Sequence, residues 1–180
     1  MRIISGKARG TNLFTLEGKD TRPTLDRVKE SLFNIINQKI YDSTVLDLFS
    51  GSGAIGLEFA SRGAKEVLLC EKSKKATQII KRNIEKTHLE EAVELYNCDY
   101  IEFLQNFKNK KFDIIFLDPP YKTDFIIEAI NLILKYNMLE EDGVIIAETD
   151  EPEMIENQLK EANINDFDKR KYGRANLFFI

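Results

Sequence analysis

Residues 118–121, Asp-Pro-Pro-Tyr, form the stretch of this 180-residue chain with the plainest capacity for chemistry. The Asp118 carboxylate and the Pro119 carbonyl can together accept both hydrogens of an –NH2 group. The Tyr121 ring offers a flat face for stacking, worth roughly 1–3 kcal/mol if the partner is a nucleobase. Two acceptors would align the lone pair of an amine with an electrophile, which a poorly nucleophilic base amine needs. The stretch therefore predicts a site that binds and activates an amino group.

The residues before this stretch indicate how it is held in place. Residues 112–117, FDIIFL, are mostly apolar, which is typical of a strand buried on both faces of a parallel sheet. Pro119 and Pro120 lack an N–H and have a fixed φ, so the strand must end there. A diproline turn that only stops a strand is the alternative. We favour the functional interpretation, because ligands bind beyond the carboxyl ends of strands in open α/β sheets.

A glycine-rich turn follows the first predicted core strand, residues 44–49. Gly51, Gly53 and Gly56 form a G-x-G-x-x-G pattern between that strand and a predicted helix. Such glycines permit a tight turn, close approach of a ligand and close packing of helix on strand. Alone the pattern is weak, but its context favours a nucleotide site, whose cofactor-binding candidates also include the flanking residues Phe49 and Ser52.

Glu71 ends a second predicted strand, residues 66–71, and lies 20 residues after Gly51. At that spacing a carboxylate can accept hydrogen bonds from two ribose hydroxyls. The alternative is a surface acid paired with Lys72 or Lys74, and we favour the ribose role. These residues leave the nucleotide open between NAD and S-adenosylmethionine, since each contains an adenosine with its ribose.

Together the two motifs resemble those of the amino-group methyltransferases that use S-adenosylmethionine. The N-terminal residues 1–7 (MRIISGK) and 21–34 (TRPTLDRVKESLFN) are similar to the RsmD-type family, and residues 171–173 (KYG) extend the resemblance over essentially the whole chain. That family methylates the N2 amine of a guanine in small-subunit (16S) ribosomal RNA. The resemblance therefore implies this activity, S-adenosylmethionine as cofactor, and ribosomal RNA in an assembled or assembling small subunit as partner.

The resemblance also assigns roles to further residues. Asp47 would help to hold the methionine part of the cofactor, directly or through water. Asp99 would accept from the adenine N6 amine, with Cys98 packed on the ring; capping the following helix is the alternative, and both roles could coexist. Thr24 is a further candidate contact. The target guanine would be turned out of its stack, because its amine is otherwise out of reach.

Basic residues are unevenly distributed in a chain of net charge −4. Residues 1–40 contain eight basic and four acidic residues, a net +4, so the remainder carries −8. Residues 169–174 form a second basic cluster. Either cluster alone suggests only a solvated face, but both together with a base-binding turn favour a phosphate-binding surface. The RNA-binding candidates are Arg2, Lys7, Arg9, Arg22, Arg27, Lys171 and Arg174.

Strands and helices alternate through the rest of the chain, which predicts an α/β fold. We expect a doubly wound, Rossmann-like, seven-stranded methyltransferase sheet with one antiparallel edge strand. A β-hairpin near residues 2–16 and a helix over residues 24–38 form a small N-terminal extension. We assign residues 1–40 to this RNA-facing extension and residues 41–180 to the methyltransferase domain. The last two strands are predicted at residues 167–171 and 175–179.

The composition also indicates where the protein acts and which partners it lacks. No apolar run approaches the ~20 residues that span a bilayer, and Lys7 and Arg9 fall where a signal peptide has its apolar core. Cys70 and Cys98 without a C-x-x-C pattern predict buried free thiols and no metal site. We therefore expect a cytoplasmic protein with no membrane or metal partner, and a monomer in preference to a dimer.

Two other functions stay open from the residues alone. DNA adenine-N6 methyltransferases share the Asp-Pro-Pro-Tyr turn, but they usually carry a sizeable target-recognition region that only residues 1–40 could supply here. An NAD-dependent oxidoreductase fits the glycine pattern and Glu71, yet it leaves the diproline turn without a purpose. A non-catalytic nucleotide-binding module would leave Asp118 without a role.

Overall fold

The computed structural model describes residues 1–15, 23–120 and 123–180, apart from the side chains of residues 23–26. Within these ranges one seven-stranded sheet has the order β3-β2-β1-β4-β5-β7-β6. Its strands are β1 (Thr44–Asp47), β2 (Glu66–Cys70), β3 (Val93–Tyr96), β4 (Phe112–Leu117), β5 (Leu139–Thr149), β6 (Asp168–Tyr172) and β7 (Ala175–Phe179).

Strands β1 to β5 are parallel, whereas β7 runs antiparallel to both of its neighbours, β5 and β6. The predicted fold class with an antiparallel edge is confirmed, because β6 at the edge pairs antiparallel with β7. Strand order reverses between β1 and β4, and open α/β sheets place their ligands at this switch point.

The helices described are α1 (Pro23–Ile35), α2 (Asn37–Ile40), α3 (Ala54–Ser61), α4 (Lys74–Thr87), α5 (Tyr100–Asn106), α6 (Phe125–Lys135) and α7 (Pro152–Glu161). They cover the sheet on both sides, and alternate residues of each strand therefore pack into two separate cores. Val45, Ile114 and Ile146 pack with α1, α3 and α4, whereas their sequence neighbours Leu46 and Ile115 pack with α5, α6 and α7. We call these two sides the α3 face and the α6 face.

The N-terminal segment lies on the α3 face and is anchored by one buried acid. Glu58 of α3 accepts hydrogen bonds from the backbone N–H groups of Ile4 and Ser5, at 2.8 and 2.9 Å. Its carboxylate also pairs with Lys29 of α1 at 2.9 Å and with Arg62 at 2.7 Å. Residues on both sides of position 40 therefore share one core and one buried ion-pair network.

Three local features differ from the sequence expectation. Within residues 1–15, the predicted N-terminal hairpin consists of one antiparallel bridge between Arg2 and Asn12 and the backbone hydrogen bonds beside it, and it forms no strand. The helix predicted over residues 24–38 is interrupted at Ile36, between α1 and α2. Strand β5 begins at Leu139, five residues before residue 144, where the apolar run VIIA starts. No helix within the described ranges is long and apolar enough to cross a membrane.

Candidate active site

Four acids stand in a row along the carboxyl edge of the sheet. Glu71 follows β2, Asp47 ends β1, Asp118 follows β4 and Glu148 lies near the end of β5. The register aligns Asp47 with Leu69 and Phe116, and Leu117 with Ala147. Since side chains alternate between faces along a strand, each acid falls in phase with residues of the α3 face. We call these four residues the acid row.

The glycine turn lies directly above Asp47 and has the conformation that its sequence predicts. Gly51 and Gly53 have φ of +56° and +78°, in the left-handed region that favours glycine. A Cβ on Gly51 would meet no atom within 4 Å, so this side of the turn is open to a ligand. A Cβ on Gly56 would lie 2.1 Å from Leu69 Cδ2, which explains the third glycine by close packing of α3 on β2.

Glu71 joins the glycine turn to the end of β2. Its Oε2 accepts from the Gly51 N–H at 2.8 Å and its Oε1 from the Ser73 N–H at 2.7 Å. Lys72, the proposed surface partner, instead pairs with Asp99 at 2.9 Å. Each Glu71 oxygen retains acceptor capacity on the same side as the open glycine turn. The ribose role stays a prediction, and this geometry is compatible with it.

Replacing Glu71 with Ala is expected to weaken S-adenosylmethionine binding by about one to two orders of magnitude, through loss of charge-assisted hydrogen bonds. Isothermal calorimetry measures this directly. Glu90→Ala, at an exposed position outside the site, is the control and should leave affinity unchanged. Full affinity in the Glu71 variant would move the ribose site elsewhere.

Asp47 is the buried member of the row, with 1% of its surface exposed. Its Oδ2 accepts from the Gly56 N–H at 3.1 Å, whereas Oδ1 has no hydrogen-bond partner among the described residues. Burial, together with the charges of Asp118 and Glu71, raises the pKa of Asp47 to about 7. A buried acceptor without a donor, close to an open glycine turn, fits a cationic amine such as the ammonium group of S-adenosylmethionine.

Because a cation binds the ionised form of Asp47, cofactor affinity should rise with pH through the pKa of this carboxyl. An Asp47 pKa of about 7 implies a gain of roughly tenfold between pH 5.5 and pH 7. Asp47→Asn should bind more weakly and lose this dependence, because the amide does not titrate. Calorimetric titrations at the two pH values test this, and equal slopes in both proteins would contradict it.

Asp99 and Cys98 lie after β3, beside the end of β2. Asp99 caps α5, with Oδ1 accepting from the Ile101 N–H at 3.0 Å. Partial burial acts to raise its pKa, but hydrogen bonds from Lys72 and Ile101 outweigh burial and lower the pKa of Asp99. Cys98 Sγ lies 4.0 Å from Cys70 Sγ and both thiols are free. The capping alternative is therefore observed, whereas the adenine contacts of both residues stay predictions.

Phe49 continues β1 beyond Asp47 and turns to the α6 face. Its ring packs against Tyr100 of α5 and stacks parallel to Phe125 of α6, with centroids 5.1 and 6.4 Å away. Ser52 lies in the glycine turn, and its carbonyl accepts from Asn83 Nδ2 at 2.9 Å. Asn83 also bonds Phe14 through both its N–H and its carbonyl, which ties the N-terminal segment to the turn.

The diproline turn projects from the end of β4 at the same edge. Asp118 and Pro120 are exposed and Pro119 is buried. The Pro120 carbonyl accepts from Thr123 Oγ1 at 2.9 Å. The charge of Asp118 contributes to the raised pKa values of Asp47 and of Glu148, so its carboxylate lies within electrostatic reach of both. Tyr121 lies outside the described residues.

Glu148 is a further acid at this edge, and the sequence motifs did not indicate it. It is half-buried, and burial followed by the charge of Asp118 raises the pKa of Glu148 to about 8. What could have pointed to Glu148 in the sequence is that each predicted inner strand ends at or near an acid. The register that sets Glu148 next to Asp118 came only from the fold.

Two basic candidates lie at the edge that carries the acid row. Strand β6 is antiparallel to β7, which is antiparallel to β5, so β6 ends where β5 ends. Lys171 pairs with Asn176, and Asn176 pairs with Thr149, the residue after Glu148. Lys171 and Arg174 are both exposed and flank the turn between β6 and β7. The topology thus places them two strands from Glu148.

Lys7 and Arg9 are not brought together with Asp118. The Lys7 N–H donates to the carbonyl of Ser61 at 2.7 Å, and Ser61 ends α3. Helix α3 starts at the glycine turn and runs about 12 Å to the opposite edge of the sheet. These two candidates are exposed there, so contact with RNA through them requires a surface that wraps around the α3 face.

For the remaining binding candidates the structure gives exposure or backbone position alone, or nothing. Arg2 and Arg27 are exposed on the α3 side of the molecule. Arg22 lies outside the described residues, and for Thr24 only the backbone within α1 is described. Among the described residues no group of three or more His, Cys, Asp or Glu side chains could hold a metal ion.

The sheet order and the open glycine turn define an α/β, Rossmann-like fold, and the relatives described below identify the chain as a methyltransferase that uses S-adenosylmethionine. A family model described as conserved hypothetical protein 95 matches residues 1–180. The chain therefore belongs to this family, the RsmD family.

Named relatives agree with this assignment. The chain is 39% identical over 152 residues to ribosomal RNA small subunit methyltransferase D of Haemophilus influenzae, covering 83% of this chain and 79% of that protein. It is 35% identical over 150 residues to the protein of the same name from Escherichia coli K12, covering 83% and 75%. A solved structure of a candidate methyltransferase of Escherichia coli, yhhF, superposes with a TM-score of 0.83 at 30% identity, covering 99% and 96%.

Proposed function

We propose that this protein transfers a methyl group from S-adenosylmethionine to the exocyclic N2 amine of a guanine in small-subunit ribosomal RNA. The observation that carries the proposal is the position of Asp118. It follows β4 at the switch point of the sheet, and β4 pairs directly with β1, which ends at Asp47 just before the glycine turn. An amine held by Asp118 would therefore lie beside the proposed cofactor site. The named relatives supply the RNA class.

The residues of the chain divide the work between cofactor and base. Asp47, the glycine turn and Glu71 would hold S-adenosylmethionine, which supplies an electrophilic methyl group whose C–S bond breaks as the amine lone pair forms the new N–C bond. Asp118 and the Pro119 carbonyl accept the two amine hydrogens and align the lone pair. Asp118 also stabilises the positive charge that develops on nitrogen. It need not be a strong base, because the methylated ammonium is acidic and releases its proton to Asp118 or water.

The proposed partner is RNA presented by an assembled or assembling small subunit. Lys171 and Arg174 support this, because they are exposed at the edge that carries Asp118. Residues 1–40 remain the proposed RNA-facing extension, through Arg2, Arg22 and Arg27 in particular. A monomer in the cytoplasm fits the proposal, and the free thiols of Cys70 and Cys98 agree with a reducing compartment.

Methyl incorporation from labelled S-adenosylmethionine tests the proposal. The substrates are small subunits from a strain lacking the endogenous modification, the free ribosomal RNA extracted from them, and duplex DNA. Nucleoside analysis of the product should show N2-methylguanosine and no N6-methyladenine. Methylation of DNA adenine, or of another atom of the RNA base, would overturn the assignment. Family membership already separates the chain from NAD-dependent oxidoreductases.

A further inference from the structure

Glu148 occupies a position that the proposed transfer reaction has not yet used. Leu117 and Ala147 are direct partners in the parallel pairing of β4 and β5, so Asp118 and Glu148 are the next residues along two adjacent strands. Adjacent strands lie about 4.8 Å apart. Two carboxyl groups therefore stand side by side where the target amine would bind.

The side chain of Glu148 has no evident role in stabilising the fold. It is half-buried, yet no hydrogen bond or ion pair from the described residues reaches its carboxyl group. A carboxyl group in such a place is costly unless it meets a donor. Its backbone already serves the sheet, in register with Leu177 of β7.

A second observation favours a ligand at the acid row. Asp47, two strands from Glu148, is 1% exposed and its Oδ1 lacks a hydrogen-bond partner among the described residues. Asp118 lies between them in the strand order. The two ends of this part of the row thus present acceptors at one edge of the sheet, and the glycine turn makes the Asp47 end the proposed cofactor side.

We propose that Glu148 reads the target base by accepting a hydrogen bond from N1–H of guanine, next to the N2 amine that Asp118 holds. This inference rests on the proposed function. Guanine carries the N1–H donor and the N2 amine on neighbouring atoms of one edge, whereas N1 of adenine is an acceptor. Asp118 and Glu148 on adjacent strands match the two neighbouring donors of guanine.

The protonation state of Asp118 and Glu148 determines the pH at which this role can be tested. Burial and the Asp118 charge raise the pKa of Glu148 to about 8, so near neutral pH the pair can retain one proton between them. A protonated Glu148 could donate to a bare N1 as well as accept from N1–H, so only the ionised carboxylate, which predominates above the Glu148 pKa, is purely an acceptor. An N1 without hydrogen leaves that acceptor unpaired, which sites of this kind reject strongly.

The test compares two bases at the position that the wild-type protein methylates, once that position is mapped by mass spectrometry. Small-subunit RNA is ligated to carry either guanine or 2,6-diaminopurine there, and is reconstituted into subunits. Both bases have the N2 amine, but only guanine has N1–H. At pH 8.5, above the Glu148 pKa of about 8, we expect the wild type to favour guanine in kcat/KM by about 10- to 100-fold, the value of one hydrogen bond to a charged site.

Three variants separate base reading from folding. Glu148→Leu should reduce the preference to below about threefold. Glu148→Gln, which is isosteric, should reduce it as well, because its amide can accept from N1–H or donate to the bare N1. Asp150→Asn removes an exposed acid two residues away and should keep the wild-type preference. Affinity for S-adenosylmethionine and the melting temperature should be unchanged in Glu148→Gln.

The outcomes distinguish this inference from the proposed function. Wild-type subunits left unmethylated at guanine N2 would overturn the proposed function itself. Normal guanine methylation, with a Glu148→Gln variant that keeps the full wild-type preference, would overturn base reading by Glu148 and leave the proposed function standing.

Discussion

Asp118→Ala is expected to reduce methyl transfer by about 10³-fold and to leave S-adenosylmethionine affinity nearly unchanged. The reason is that Asp118 acts on the amine and on charge that develops only in the transition state, where losing one such group costs 10²–10³-fold. Its exposed carboxylate lies outside the glycine turn, so the cofactor contacts persist. Single-turnover rates with saturating cofactor, and calorimetry for binding, measure the two effects separately.

Asp118→Asn distinguishes alignment from base catalysis. The amide oxygen still accepts from the amine but is a negligible base, so measurable activity should remain, about 10- to 100-fold below wild type. Asp150→Ala, at an exposed acid beyond the end of β5, serves as the matched control and should be fully active. If the Asn variant were as inactive as the Ala variant, alignment alone would be the wrong explanation.

Glu58→Ala is expected to lower the free energy of unfolding by about 3–5 kcal/mol, the usual cost of removing one partner from a buried ion pair. Glu58 is fully buried and accepts from the N–H groups of Ile4 and Ser5, while Lys29, only 3% exposed, loses its Glu58 carboxylate. Urea denaturation measures the change. Glu85→Ala on the exposed face of α4 is the control, expected within about 0.5 kcal/mol of wild type.

The same residue predicts part of the acid sensitivity of the fold. Burial acts to raise the pKa of Glu58, but the Lys29 charge and the hydrogen bonds from Ile4 and Arg62 outweigh it, so the pKa lies below the usual value of 4.5. A carboxyl whose folded pKa is depressed contributes stability above its unfolded pKa and loses it as pH falls through the folded pKa. In Glu58→Gln the free energy of unfolding should therefore fall less steeply below pH 4.5. The same pH dependence as in the wild type would show that protonation of Glu58 is not the cause.

The anchoring of the N-terminal segment also bears on catalysis. Glu58 joins the segment to the middle of α3, and Asn83 joins Phe14 to the carbonyl of Ser52 in the glycine turn. A segment proposed to face RNA is thus linked, through the side chain of Asn83, to the turn proposed to hold the cofactor. Both contacts link residues more than 30 positions apart, and neither belongs to a recognisable motif.

The sequence alone was sufficient for the parts of this protein that depend on short-range chemistry. Pro119 cannot extend a strand, so the position of the turn after β4 followed from covalent geometry. Gly51 and Gly53 have positive φ, as the turn required, and Gly56 fills the close packing that its spacing predicts. The alternation of buried strands and amphipathic helices was likewise enough to predict the sheet.

Tertiary structure decided which distant groups meet. Asp118 and Glu148 become neighbours because β4 and β5 pair in one register, and a shift of one residue would turn the Glu148 side chain to the other face. Two antiparallel pairings place Lys171 and Arg174 at the edge that carries the acid row. Lys7 and Arg9 lie at the opposite edge, because Lys7 is bonded to the far end of α3. Residue type and spacing determine what a group can do, but only the packing of strands and helices determines which groups act on the same substrate.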